Sequence, residues 1–155
     1  MFRDEERFAC ALQALDRGDF PRADAELSAL LARERLDGKE RAFLLNKRGV
    51  ARVALQAPAL ARADFTAALE ACPGHAPALT NLGNMLLEEG QVDAAIASYE
   101  RAIAGDREYA NAYLNLAVAY KRAGRIAEAV RALRDALRFE QRATAANSWR
   151  RARRR

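Results

Sequence analysis

Residues 79–106 read LTNLGNMLLEEGQVDAAIASYERAIAGD, and their spacing of small and large apolar side chains returns at a fixed distance on either side. Gly83 has Gly49 34 residues before it and Ala117 34 residues after it. The same offset links Ala61, Ala95 and Ala129, then Phe65, Tyr99 and Leu133, then Ala68, Ala102 and Ala136. Four ladders in one register define a repeat. A period of this length marks a stack of small units that cannot bury their apolar faces alone and so depend on their neighbours. Such a chain is a binding surface, and its sequence speaks to the kind of function before it names a ligand.

Residues 76–109 and 110–143 are the clearest copies. Each predicts an apolar first helix (76–89; 110–123), a glycine at the left-handed turn (Gly90; Gly124) and an apolar second helix (about 93–104; about 126–139). Turns this short force the paired helices to run antiparallel. The alanines of the ladders are then close-approach points, with Tyr99 and Leu133 as the bulky residues between them.

Working back toward the start, residues 42–75 predict a helix over 42–55, a break at Gln56, Ala57 and Pro58, and a second helix to 71 that Pro58 is suited to open. Cys72, Pro73 and Gly74 close the unit. Arg48 and Arg52 fall on interior slots that hold Leu82 and Leu86 one copy later, a costly arrangement unless the charges are paired. This copy alone also has an acid, Asp64, where the others have Ser98 and Ala132, so an Arg48–Asp64 ion pair between its two helices is expected. Residues 4–37 form a worn copy, in which Gly18, Phe20, Ala23 and Leu27 match Gly90, Val92, Ala95 and Tyr99. Arg7 stands where later copies have Leu79 and Tyr113, and four extra residues, 38–41, precede the next unit. A repeat at the end of a stack is expected to be atypical.

These units resemble tetratricopeptide repeats (TPRs). The family pattern of aromatic or Leu, Leu-Gly, aromatic, Ala, aromatic, Pro is carried by Leu79, Leu82-Gly83, Leu86, Ala95 and Tyr99, by Tyr113, Leu116-Ala117, Tyr120, Ala129 and Leu133, and in part by Leu45, Gly49, Ala61, Phe65 and Pro73. Arg107 and Gln141 stand where the terminal proline would be. The resemblance implies an all-α, right-handed superhelical solenoid of antiparallel helix pairs, with a TPR domain over 1–143 (units of about 4–37, 42–75, 76–109 and 110–143, the first degenerate). Residues 144–155, TAANSWRRARRR, are read from the chain itself as a capping helix and basic tail, with Thr144 as a cap and Trp149 against the last unit.

By the same resemblance the first helices line a concave groove that holds a protein or peptide. Its slots carry Asn46, Lys47 and Val50, then Asn81, Asn84 and Leu87, then Asn111, Leu114, Asn115, Val118, Lys121 and Arg122. An Asn amide supplies donors and an acceptor, so the equivalent Asn81 and Asn115 are expected to bracket a peptide unit, with the aliphatic residues as footholds and the two cations favouring an acidic group. Family members that grip the acidic tails of heat-shock chaperones use a Lys, Arg and Asn clamp. At those slots this chain has Asn46, Val50, Asn81, Asn111 and Asn115, of which only the middle Asn fits.

Composition narrows the alternatives. Apolar residues make up 51% and aromatics 7%, so Ala and Leu do the packing, in keeping with helices. Arg150, Arg151, Arg153, Arg154 and Arg155 are five of 26 basic residues and leave 21 against 21 acidic ones in 1–149, so the tail carries the whole net charge of +5. That tail is the basis of a rival reading, a nucleic-acid or anionic-membrane adaptor, and end-to-end self-association into oligomers is a second rival. Cys10 and Cys72 have no metal or redox spacing and suggest a reducing compartment. The lone His75 lies at a helix boundary, and no phosphate loop, nucleophile elbow or zinc spacing occurs. The expectation is a non-catalytic binding adaptor or scaffold without cofactor or metal, cytoplasmic in the absence of a signal peptide or a long apolar run, and bacterial from its Arg- and Ala-rich composition.

Overall fold

The structure, a computed structural model, describes residues 2–32 and 35–152, with side chains placed between residues 6 and 146. Eight helices make up the described residues, with no strand among them: α1 (Phe2–Asp16), α2 (Phe20–Leu31), α3 (Gly38–Ala54), α4 (Pro58–Ala71), α5 (Ala76–Glu88), α6 (Val92–Gly105), α7 (Ala110–Arg122) and α8 (Ile126–Ala152). They pair as the repeat predicts, α1 with α2 through α7 with α8. Two structural units emerge, Met1–Asn81 and Leu82–Arg155, divided within α5.

All four turns inside the pairs are built alike. The N–H groups of Gly18 and Asp19 bond to the carbonyls of Leu15 and Ala14, and the same two bonds recur at Gln56 and Ala57, at Gly90 and Gln91, and at Gly124 and Arg125. This double bond satisfies carbonyls that the helix end leaves open, and it needs a residue in the left-handed region. Gly18, Gly90 and Gly124 supply it with φ between 74° and 79°. In the second pair Gln56 takes the same conformation at φ 58°, so the turn is kept without its glycine.

Close approach within the pairs explains the first ladder. A Cβ on Gly83 would meet three atoms of the Tyr99 ring within 3.0 Å, and one on Gly49 would meet the Phe65 ring as closely. Where the facing residue is Leu133, Ala117 is accommodated. Phe65 and Tyr99 are 1% and 0% exposed, whereas Leu133, on the same rung, is 44% exposed. The last rung has no covering layer among the described residues.

Unit 1 is held by apolar and ionic contacts together. Ala11, Leu27, Leu30 and Leu44 form one cluster, and Ala42, Leu45, Ala68 and Ala78 another. Between them runs a network of charges that includes the expected pair. Arg48 donates to Asp64 in a fork, Nη2 to Oδ1 at 2.7 Å and Nε to Oδ2 at 3.0 Å. Arg52 donates from Nη1 to the same Asp64 Oδ2 at 3.0 Å and from Nε to Asp24 Oδ1 at 2.7 Å, while Arg48 Nη1 reaches Ser28 Oγ at 3.0 Å. Two guanidiniums and two carboxylates balance, and planar forks of this kind are the stronger form of ion pair. The network ties α3 to α4 within its own repeat and to α2 of the preceding one. Only the Arg48–Asp64 part was foreseeable from the 34-residue register, because Asp24 precedes the four-residue insertion.

Two boundaries differ from the sequence expectation. The helix expected to begin at residue 42 begins at Gly38, because Asp37 and Glu40 form a capping box, Asp37 Oδ1 accepting from the Glu40 N–H at 2.8 Å and Glu40 Oε2 from the Asp37 N–H at 3.1 Å. The insertion becomes an extra first turn. At the other end, residues 144–152 are helical as expected but continue α8 without a break. Thr144 is mid-helix, its hydroxyl donating to the Glu140 carbonyl at 2.9 Å, and does not cap. The cause is readable in the chain: α6 ends where Gly105 and Asp106 stop it, whereas nothing between Phe139 and Thr144 breaks a helix. The expected packing of Trp149 lies outside the described side chains, as does the placement of Arg153, Arg154 and Arg155. No described helix is long and apolar enough to cross a membrane.

Candidate functional site

On the first helices of the pairs, the candidate residues divide between those already engaged inside a unit and those facing solvent. In unit 1, Asn46 is buried and its Oδ1 accepts from Asn81 Nδ2 at 2.9 Å, so these two amides bond to each other. Their neighbour Thr80 is buried too, with a hydroxyl that has no partner among the described residues. Lys47 is half-buried, its Nζ 5.4 Å from the centroid of the Phe43 ring, and Val50 is exposed one turn further on. Phe43 and Phe8 are partly exposed and meet at a ring separation of 5.8 Å, tilted by 44°. Neither aromatic was singled out from the sequence; the signal for Phe43 was its spacing of four and seven residues from Lys47 and Val50, which places all three on one helix face.

In unit 2, Asn84 Oδ1 accepts from the Tyr99 hydroxyl at 2.8 Å. Burial holds that phenol up to about 12, with Arg122 pulling it down and Glu88 adding to the rise, so it stays a donor at neutral pH. Leu87, expected as an apolar foothold, is in the core: α7 covers it with Leu116, Ala119 and Tyr120, and its slot faces the next pair rather than a ligand. Its carbonyl accepts from Arg122 Nη1 at 3.0 Å, which fixes that guanidinium over the end of α5.

The remaining candidates are brought together on α7. Asn111, Leu114, Asn115, Val118, Lys121 and Arg122 recur at helical spacing and span about 120° of one helix face. Five of the six are exposed and Asn115 is half-buried. Among the described residues the amides of Asn111 and Asn115 make no side-chain hydrogen bond, so both retain donors and an acceptor toward solvent.

His75 is a capping residue of α5: its Nδ1 accepts from the Ala78 N–H at 3.3 Å. Burial lowers its pKa from the usual value, keeping the imidazole neutral as an acceptor requires. Among the described residues no cluster of His, Cys, Asp and Glu is arranged to hold a metal ion.

Comparison with known proteins settles the lineage. Tetratricopeptide repeat models match residues 8–76, 65–97, 83–124 and 110–144. The chain belongs to the tetratricopeptide repeat family. Among solved TPR structures it is similar to MamA, at 24% identity and a TM-score of 0.70 over 92% of this chain and 81% of that one. PilF of Pseudomonas aeruginosa gives 24% identity and a TM-score of 0.75 over 91% of this chain and 64% of that one. The second TPR of RPAP3, solved with the HSP90 peptide SRMEEVD, gives 21% and 0.60 over 65% of this chain and 94% of that one. At these identities the likeness is one of fold.

Proposed function

We propose that this TPR protein is a non-catalytic adaptor that binds a segment of another protein in the groove lined by its first helices, on the exposed face of α7. The observation that carries the reading is the composition of that face: two amides without side-chain partners among the described residues, two exposed aliphatics and two cations on one side of a rigid helix. The amides suit a peptide backbone, which has no fixed charge but needs a donor and an acceptor. Leu114 and Val118 supply contact area, and Lys121 with Arg122 favours an acidic group at that end. The peptide in the RPAP3 complex is acidic. Asn81, however, is occupied by Asn46 in this chain, so the bracket expected of Asn81 and Asn115 is assigned to Asn111 and Asn115.

The test is a display selection of random 12-residue peptides on the purified chain, followed by calorimetry of the enriched peptides. Asn115→Ala is expected to weaken binding by about 0.5–1.5 kcal/mol, a neutral hydrogen bond's worth, with melting unchanged. Lys121→Glu is expected to lower the on-rate of acidic peptides. Peptides that bind both variants as well as wild type, with affinity falling steeply as salt rises, would transfer the function to the arginine-rich end of α8 and its tail.

A further inference from the structure

A groove of unit 2 shares Leu114, Val118 and Lys121 with the α7 face but continues onto α8, where its character differs. In the α5–α6 pair, Leu87, Ala95, Ile96 and Tyr99 are buried beneath α7, which lays Leu116, Ala117, Ala119 and Tyr120 over them. One repeat later the register equivalents of Ala95, Ile96 and Tyr99 are Ala129, Val130 and Leu133, and here Val130 is 51% and Leu133 44% exposed. With Leu114, Val118 and Ile126 they line a groove of about 290 Å³ between α7 and α8. Leu137, half-exposed, extends the stripe along α8. Exposed aliphatics concentrated in one groove, rather than scattered singly, mark an interaction site.

We propose that this groove is a docking site for an amphipathic helix of another polypeptide, apolar on its inner side and acidic on its flanks, seated where the first helix of a further repeat would lie. The shape follows from the register, since the same backbone one pair earlier already receives a helix. The charge follows from the rim: Lys121 lines the groove, and Arg134, exposed, adjoins the stripe of Val130, Leu133 and Leu137 on α8, with the one acid beside that stripe among the described residues, Glu140, at its far end past Leu137. A second copy of this chain fits less well. Its α1 would offer an outer face of Glu6, Ala9, Gln13 and Asp16, all exposed, with a single methyl group for an apolar groove. Two copies packed groove to groove would bring both sets of Lys121 and Arg134 together, a like-charge contact. The groove shares Leu114, Val118 and Lys121 with the α7 face, but the proposal stands on Ile126, Ala129, Val130 and Leu133, which take no part in that reading.

The probe is a peptide of residues 110–122 carrying Lys121→Glu and Arg122→Glu, held helical by one lactam bridge and labelled for fluorescence anisotropy. It is expected to bind the full chain, and more tightly than the same peptide with its native Lys and Arg. Val130→Asp in the chain is expected to weaken binding at least tenfold, and Ile126→Asp, at a 57% exposed position, to do the same. Circular dichroism should register no loss of helix in either. Arg134→Glu is expected to weaken the acidic peptide severalfold and to remove its preference over the native one, while Asn115→Ala stays within twofold. Absence of binding, or binding unchanged by Val130→Asp and Ile126→Asp, would overturn the proposal. So would sedimentation of the chain alone as a dimer that Val130→Asp dissociates, which would make the occupant a second copy.

Discussion

Two stretches of this chain solve one geometric problem in opposite ways. In unit 1 the slots between helices hold Arg48, Arg52 and Asp64, which bind one another and reach Asp24 and Ser28. In unit 2 the equivalent slots hold Leu82, Leu86 and Ser98. Apolar filling is indifferent to which apolar neighbour it meets, whereas a clasp of charges is satisfied only by a neighbour with the right partner at the right turn. Unit 1 therefore specifies the contact of α2 with α3 and α4. Unit 2 stacks mainly by shape, with single hydrogen bonds from Arg122 to the Leu87 carbonyl and from the Tyr120 hydroxyl to Glu100, and ends in an apolar face that is open among the described residues.

The largest effect should come from Asp64, whose side chain is 4% exposed and serves two guanidiniums. Asp64→Ala is expected to destabilise by about 3 kcal/mol in urea denaturation, because it strips the part-buried Arg48 of its only carboxylate among the described residues and leaves Arg52 with Asp24 alone. Ser98→Ala, at the same register position of unit 2, should cost far less. Installing the unit 2 residues together, Arg48→Leu, Arg52→Leu and Asp64→Ser, should recover part of the loss, because it removes the unpaired guanidiniums with the carboxylate and leaves only Asp24, 31% exposed, to turn to solvent. A triple variant as unstable as Asp64→Ala would mean that the backbone around the clasp cannot accept the aliphatic solution.

Next in size is a test of the open face. Ala95 is fully buried under α7, so Ala95→Leu is expected to cost about 1–3 kcal/mol by overpacking. Ala129 occupies the same position one repeat later, packs on the core from one side only and otherwise lines the groove, so Ala129→Leu should cost clearly less in thermal melting. Equal losses would mean that the groove is covered in solution. Smaller again is the turn in which unit 1 departs from the glycine rule. Gln56→Gly is expected to stabilise by about 0.5–1 kcal/mol, relieving a left-handed residue that carries a Cβ, and Gly90→Gln to do the reverse. The smallest effect concerns His75. Its lowered folded pKa means that the unfolded chain takes up the proton more readily. The stabilisation is therefore complete above the usual value of 6.5 and is lost as pH falls through the folded value. Denaturation midpoints of wild type and His75→Gln should converge on acidification over that window.

Helix pairing, turn positions and the Arg48–Asp64 bond were legible because each rests on a residue type recurring at a fixed distance. What escaped was non-periodic. Asp24 and Ser28 lie before the four-residue insertion, so no common offset aligned them with Arg52 and Arg48. The early start of α3 rests on a local capping box, and the run-on of α8 on the absence of any breaker after Phe139. The α7 residues were legible as one face, because helical spacing alone places them. The engagement of Asn46 with Asn81, of Asn84 with Tyr99 and of Leu87 with the core was not, since pattern locates a slot without revealing which partner fills it.

The division of the chain into a clasped unit and an open one is tested most directly by hydrogen exchange, measured by mass spectrometry with and without a peptide selected on the purified chain. Binding on unit 2 predicts that added protection concentrates in residues 110–137, spanning α7 and the start of α8, while residues 20–70 around the clasp exchange slowly and alike in both states. Protection appearing in α1 to α4 instead, with α7 unchanged, would contradict it.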